Sequence, residues 1–210
     1  RRLAGLPEPA PLWIVAGRGS FGRQVAGGAQ AGAARLGIEV VRSTQAGYLS
    51  QVKGAAHDLL CAGSFEEDVE LLSRLEHRPR TTWAVAAGVR RFGSALDAPG
   101  GVYGPAQWLP GTTPRPDVGP PELGFVREYA EVAGEPPDYP AAQAAATAAL
   151  ATLCLELAGT STAPDLWRAA AGLNATTFYG RFRVDHRSGA QLGHEVVLVR
   201  WAQDRRLGPA

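Results

Sequence analysis

In the first half of the chain, short runs of continuous apolar residues alternate with segments whose apolar positions recur at helical spacing. Leu12-Trp13-Ile14-Val15-Ala16 has the length and makeup of a parallel strand buried on both faces. The turn Gly17-Arg18-Gly19-Ser20-Phe21-Gly22 follows, and Arg23–Leu36 reads as a helix with small residues on one face. Gly37 closes that helix and Ile38-Glu39-Val40-Val41 is the next strand, so the economical reading is a βαβ unit. The pattern repeats. Asp58–Ala62 is a strand, Gly63-Ser64-Phe65 its turn, and Glu66–Glu76 a helix with Val69, Leu71, Leu72 and Leu75 among acids. Thr82–Ala86 is a further strand ending at Ala87-Gly88, and Gly101–Gly104 is another. Strands alternating with helices predict an α/β fold with a parallel sheet covered on both faces.

The second half differs. Prolines at 110, 114, 116, 120 and 121 leave no room for a regular element, which makes 110–121 a surface loop or crossover. Helices are predicted over Pro121–Ala133, over the alanine-rich Tyr139–Ala158 ended by Gly159, and over Ala163–Leu173, with Pro164 in its first turn. Strand patterns return at Thr177–Val184 and Glu195–Trp201. A turn at Asp185–Gly189 makes them read as a C-terminal hairpin.

Composition narrows the classes. The chain has 210 residues, 45% hydrophobic and 20% charged, enough for one large or two small globular domains. A net charge of +1 gives no basic face for nucleic acid. No run of about 18 apolar residues occurs, so no transmembrane segment is expected, and Gln143, Thr147, Thr152 and Glu156 mark the alanine-rich run as a soluble helix. Methionine is absent even from position 1, and we expect a chain that starts downstream of a translation start. Cys61 and Cys154 are too few and too far apart for a metal site. They read as buried free thiols, with a disulfide as the alternative if the protein is exported.

Several segments in order resemble the type I periplasmic binding proteins, specifically the branched-chain amino-acid receptors that feed ABC transporters. They are Phe125-Val126-Arg127-Glu128-Tyr129, Gly134-Glu135-Pro136-Pro137-Asp138-Tyr139 with the alanine helix behind it, and Ala158-Gly159-Thr160. Thr177-Phe178-Tyr179-Gly180, Phe182-Arg183-Val184-Asp185 through Gly189, and Gly193-His194-Glu195 leading to Trp201 complete the set. No single motif is specific; the ordered set carries the resemblance, over about Leu12 to Ala202. It implies two Rossmann-like α/β lobes joined by three crossovers, with a ligand between them. On that scheme residues 12–109 are the second lobe, 110–175 a crossover and helices of the first lobe, and 176–202 a hairpin returning to the second. The first-lobe sheet is then missing, and helices from about 121 to 173 would need an N-terminal lobe or a partner chain against them. The implied role is a non-enzymatic solute-binding protein, extracellular or at the cell surface, delivering a small molecule to an ABC transporter permease. A ligand-sensing regulatory domain of a signalling protein is the alternative, and a small Rossmann-like enzyme ranks third.

Parallel sheets bind ligands at the carboxyl ends of their strands, where free N–H groups and helix dipoles converge. Three turns occupy that place: Ser20-Phe21-Gly22, Gly63-Ser64-Phe65, and Ala87-Gly88 running on to Val89. They are either the ligand surface, as the resemblance implies, or ordinary glycine-containing turns. The amino-acid receptors carry an acid in the third turn to pair the ligand ammonium; here Ala86-Ala87-Gly88 has none. Phe21 stands where a tyrosine is frequent. The expected ligand is therefore an aromatic or aliphatic acid or amide rather than a zwitterion. Trp108, before the proline-rich crossover, is expected either to stack on a flat ligand or to pack under the loop. The Gly17–Gly22 turn lacks dinucleotide spacing, no Gly-x-Ser-x-Gly elbow occurs, and the four histidines are dispersed. No cofactor is called for. Glu66, Glu67, Asp68 and Glu70 are expected to form a solvated face at a helix start.

Overall fold

The computed structural model describes residues 5, 10–52 and 56–210; Lys53, the single lysine, lies outside them. Its strands are β1 (Leu12–Ala16), β2 (Val40–Ser43), β3 (Asp58–Ala62), β4 (Thr81–Ala84), β5 (Val102–Ala106), β6 (Ala175–Thr177), β7 (Gly180–Phe182), β8 (Val197–Trp201) and β9 (Leu207–Pro209). The helices are α1 (Ser20–Arg35), α2 (Gln45–Gln51), α3 (Phe65–Ser73), α4 (Arg90–Ala95), α5 (Glu122–Ala133), α6 (Tyr139–Ala158) and α7 (Ala163–Gly172), with a 3-10 turn at Val85–Gly88. Two compact units result: residues up to Ala106 with Leu198–Ala210, and Gln107–Val197.

The first unit is built on a sheet of order β2-β1-β3-β4-β5-β8-β9. Strands β1 to β5 run parallel, with Leu12 opposite Val40 on one side and Asp58 on the other. β8 and β9 form an antiparallel hairpin. Because successive residues of a strand face opposite ways, Ile14 enters one core with Ala26 and Ala62, while Val15 enters another with Leu59, Cys61, Leu71, Phe92 and Trp201. Both faces are covered, which is why these strands read as unbroken apolar runs. Full burial of a side chain such as Ile14 or Leu59 contributes roughly 2 kcal/mol.

Two short helices were not anticipated. α2 is capped by Thr44, whose hydroxyl accepts from the Gly47 N–H at 3.2 Å. It buries Tyr48, whose phenol lies 2.7 Å from Nε2 of the equally buried His57. α4 buries Phe92. Neither is long enough to show helical periodicity. α1 begins at Ser20, three residues earlier than expected, because Gly19 serves as its N-cap. β2 starts two residues later than expected.

The second unit holds α5, α6, α7 and the β6–β7 pair around a core of Trp108, Ala142, Ala146 and Phe178. α6 spans the predicted residues. Asp138 caps its start, Pro140 sits in its first turn, and Gly159 ends it in the left-handed region at φ 63°. Its apolarity is mostly alanine, yet by length and composition alone it is the one helix among the described residues that could cross a membrane. The proline-rich segment has no regular element. It is fastened by Glu122, which accepts from the Gly111 N–H at 2.8 Å, and by Asp117, which accepts from the Thr176 N–H at 2.6 Å.

One expected strand is broken. The expected span Thr177–Val184 holds only the last residue of β6 and all of β7, which pair antiparallel with Phe178 and Tyr179 at the turn between them. Phe178 is fully buried in the helical core, and drawing it inward bends the chain. Val184 then makes only an isolated bridge to Gln191, and the C-terminal hairpin joins β8 to β9 instead.

Candidate functional site

The sheet order places β2 on one side of β1 and β3 on the other, so the direction in which successive parallel strands are added switches between β1 and β3. The crevice beyond the carboxyl ends of such a pair is where open α/β sheets receive ligands. Here the β1–α1 and β3–α3 turns border it. Ser20 and Phe21 open α1 on the surface, Phe21 being 57% exposed. Gly22 is buried, and a Cβ there would come within 2.4 Å of the Ala62 carbonyl oxygen. Ser64 is exposed at the head of α3, and Phe65 is half-buried with the Arg91 guanidinium 5.1 Å above its ring.

Of the four acids expected on a solvated face, Asp68 is buried, and Glu67 is half-buried and fully engaged in hydrogen bonds. Ser64 and Glu67 form a capping box: the Ser64 hydroxyl accepts from the Glu67 N–H at 3.3 Å, and Glu67 Oε2 accepts from the Ser64 N–H at 2.9 Å. Glu67 Oε1 also accepts from the Arg18 N–H at 3.0 Å and from Arg18 Nε at 3.3 Å. One carboxylate therefore joins the first two turns. The Ser64 and Arg18 N–H groups, with the Arg18 guanidinium, hold it below the usual carboxylate range. Asp68, 2% exposed, accepts from the Gly63 N–H at 2.8 Å and from the Ala86 N–H at 3.2 Å. Burial pushes its carboxyl up to about 6 against the opposing pull of those N–H groups, and the Glu67 charge adds to the rise. Glu66 and Glu70 are exposed, as expected. Gly17 and Gly63 make room for this pair: a Cβ would fall 2.2 Å from Glu67 Oε2 at Gly17 and 2.9 Å from Asp68 Oδ1 at Gly63.

The third turn is closed. Ala87 is 0% exposed and its carbonyl accepts from Trp201 Nε1 at 2.9 Å. Gly88 is buried so tightly that a Cβ would stand 2.0 Å from the Pro105 carbonyl oxygen. Ala87 and Gly88 are thus packed away from solvent.

Comparison with solved structures gives one consistent answer. A leucine-binding protein from Thermotoga maritima superposes with TM-score 0.77 at 15% identity, over 96% of this chain and 59% of that one. A branched-chain amino-acid ABC transporter protein from Thermus thermophilus with bound valine gives 0.75 at 16%, over 100% and 61%. A solute-binding protein of an ABC transporter from R. palustris in complex with benzoate gives 0.73 at 14%, over 99% and 58%. The fold is that of the type I periplasmic binding proteins.

The chain thus spans about three-fifths of the length of the periplasmic binding proteins it matches. These neighbours are binding proteins rather than enzymes. No protein-family model matches the sequence, and no curated protein does.

Trp108 belongs to the second unit of this periplasmic-binding-protein fold, apart in sequence and unit from the three turns. It is 3% exposed, its Nε1 donates to the Phe178 carbonyl at 3.0 Å, and its ring meets Phe125 and Phe178 edge-on. That is the geometry of a packing residue. His194 stacks on Tyr179 at 4.7 Å, and His57 serves Tyr48. Both cysteines are buried free thiols, Cys61 raised well above its ordinary value by burial and by the Asp68 charge. The sequence carried a sign of Glu67 in its Ser-x-x-Glu spacing; nothing local announced the burial of Asp68.

Proposed function

We propose that this chain is the ligand-binding part of a solute-binding protein serving an ABC-type importer, exported from the cytoplasm, and that its first unit presents the β1–α1 and β3–α3 turns to a small organic ligand. The observation that carries the reading is the pair of exposed turns at the β1/β3 switch, on a fold whose solved neighbours are named as binding leucine, valine and benzoate. Ser20, Phe21, Ser64 and Phe65 form the contact surface, with Gly22, Gly63, Ala87 and Gly88 holding the backbone behind it. The exposed apolar residues Leu123, Val132, Leu155, Leu157 and Trp167 of α5 to α7 are, in this reading, the surface that the other lobe's sheet covers.

The ligand class follows from the charges at that edge. Glu67 already occupies the Arg18 and Ser64 N–H groups, so a ligand carboxylate has to find its partner elsewhere. Arg91, lying on Phe65, supplies a cation beside an apolar ring, and the exposed Arg18 side chain, paired through Nε with Glu67, adds positive charge in the first turn. An aromatic or aliphatic carboxylate fits that pairing of ring and guanidinium.

Ligand-observed NMR of this chain with benzoate and with leucine tests the reading. Benzoate should bind more tightly, and Phe21→Ala with Phe65→Ala should weaken it by about tenfold, or about 1.4 kcal/mol. His57→Ala and His194→Ala should stay within about threefold. Equal losses from the histidine variants would remove the edge from consideration, and tighter leucine binding would show Glu67 acting as an ammonium partner.

A further inference from the structure

We infer that Asp68 is the positioning residue of the binding edge: one buried carboxylate ties the β3–α3 turn to the 3-10 turn after β4, and taking up a proton releases the second of them. The inference rests on the proposed binding surface only for its effect on ligand. The brace itself stands on geometry. Oδ1 accepts from Gly63 N–H and Oδ2 from Ala86 N–H, so each oxygen serves a different turn, and the Val85 N–H lies close enough to favour the charged form as well. A carboxylate can accept on both oxygens. A carboxylic acid carries a hydrogen on one of them, and that oxygen then faces an N–H donor to donor. The shorter bond to Gly63, in the turn that leads directly into the helix carrying Asp68, is the one retained; the 3.2 Å bond to Ala86 is lost.

The surroundings set where this occurs. β3 presents Cys61, whose thiol stays neutral because burial and Asp68 itself raise it. The 3-10 turn Val85–Gly88 has no titratable side chain. α4 carries Arg90 and Arg91, the latter lying over Phe65, and α3 contributes Glu67, whose negative charge opposes ionisation of its neighbour. The bonds that hold the ionised form are thus backbone N–H groups, and burial works against them. The carboxyl changes state around pH 6 rather than in strong acid. Above that the two turns are locked together; below it the β4 turn loses this tie to β3–α3 and keeps its packing and the Trp201 bond to Ala87.

The test is amide NMR and hydrogen exchange on the intact chain, followed from about pH 8 to about pH 5. The Gly63 and Ala86 amide shifts should titrate together with a midpoint near 6, and Ala86 protection, corrected for intrinsic exchange, should fall about tenfold across it. Asp68→Asn should abolish both titrations, with Ala86 left at its low-pH protection. Should that variant fail to fold, Asp68→Glu keeps a titrating acid but displaces it, and should move the midpoint. Amide shifts that titrate only in the ordinary carboxylate range, or that persist in Asp68→Asn, overturn the brace. Benzoate affinity measured on the same samples separates the two readings. A titrating brace with pH-independent benzoate binding keeps Asp68 as a strut and removes the edge as the ligand surface. Affinity that falls with the Ala86 protection upholds both.

Discussion

Replacing Trp108 tests whether it is held by packing and one hydrogen bond, and the Phe178 carbonyl makes the size predictable. That oxygen accepts twice, from Trp108 Nε1 at 3.0 Å and from the Thr113 hydroxyl at 2.7 Å. Trp108→Phe keeps an aromatic ring against Phe125 and Phe178 and leaves the carbonyl bonded to Thr113, so the expected loss is about 1 kcal/mol. Trp108→Ala removes the ring from a site only 3% exposed and should cost about 3–5 kcal/mol. Thr113→Val alone also leaves one donor in place, at a cost of about 1 kcal/mol. The double variant Trp108→Phe/Thr113→Val strands the buried carbonyl, which adds about 1–3 kcal/mol beyond the sum of the singles. Thr113 also lies 3.1 Å from Glu122 Oε1, but any loss there appears in both Thr113 variants and cancels in the cycle. Urea unfolding followed by far-UV circular dichroism reports on α5, α6 and α7, which share the second unit with Trp108. Additive losses in the cycle, or a Trp108→Phe loss equal to that of Trp108→Ala, would refute this account of the core.

Two further outcomes follow from the first unit. Gly88→Ala drives a methyl group to 2.0 Å from the Pro105 carbonyl, a backbone atom that cannot swing aside; we expect a loss of roughly 1–3 kcal/mol, read as a lowered Tm, and an unchanged Tm would mean the turn is loose. Asp68 titrates at about 6 in the folded protein against an ordinary 3.8, so folding takes up a proton between those values. Its contribution to stability is therefore fully present below about pH 4 and is lost as pH rises through 6, about 3 kcal/mol in all. Glu67, lowered, acts in the opposite sense and loses its contribution in acid, so the informative quantity is wild type minus Asp68→Asn. That difference in unfolding free energy should fall by roughly 2 kcal/mol from about pH 4 to about pH 7.5; a flat difference would show an ordinary carboxyl.

Elements whose identity depends on local patterning were legible in the sequence. β1 and β3 occupy their predicted residues because a strand covered on both faces needs an unbroken apolar run, and α6 does because Asp138, Pro140 and Gly159 set its ends. The ordered motifs from Phe125 to Trp201 pointed to the type I periplasmic-binding-protein fold that the solved neighbours display. Tertiary structure decided the rest, because burial of a side chain depends on what the rest of the chain brings against it. α2 and α4 exist to deliver Tyr48 and Phe92 to the sheet, a need that seven and six residues cannot announce by periodicity. The strand expected over 177–184 breaks because the helical core takes Phe178. The Ser64-x-x-Glu67 spacing marks Glu67 as a capping residue, but Asp68 looks like any acid at a helix start, where the dipole alone would leave it in water. Only the approach of Arg18 and Ala86, from turns distant in sequence, to the local Gly63 and Ser64 N–H groups lets Asp68 leave solvent and lets both carboxylates tie turns together.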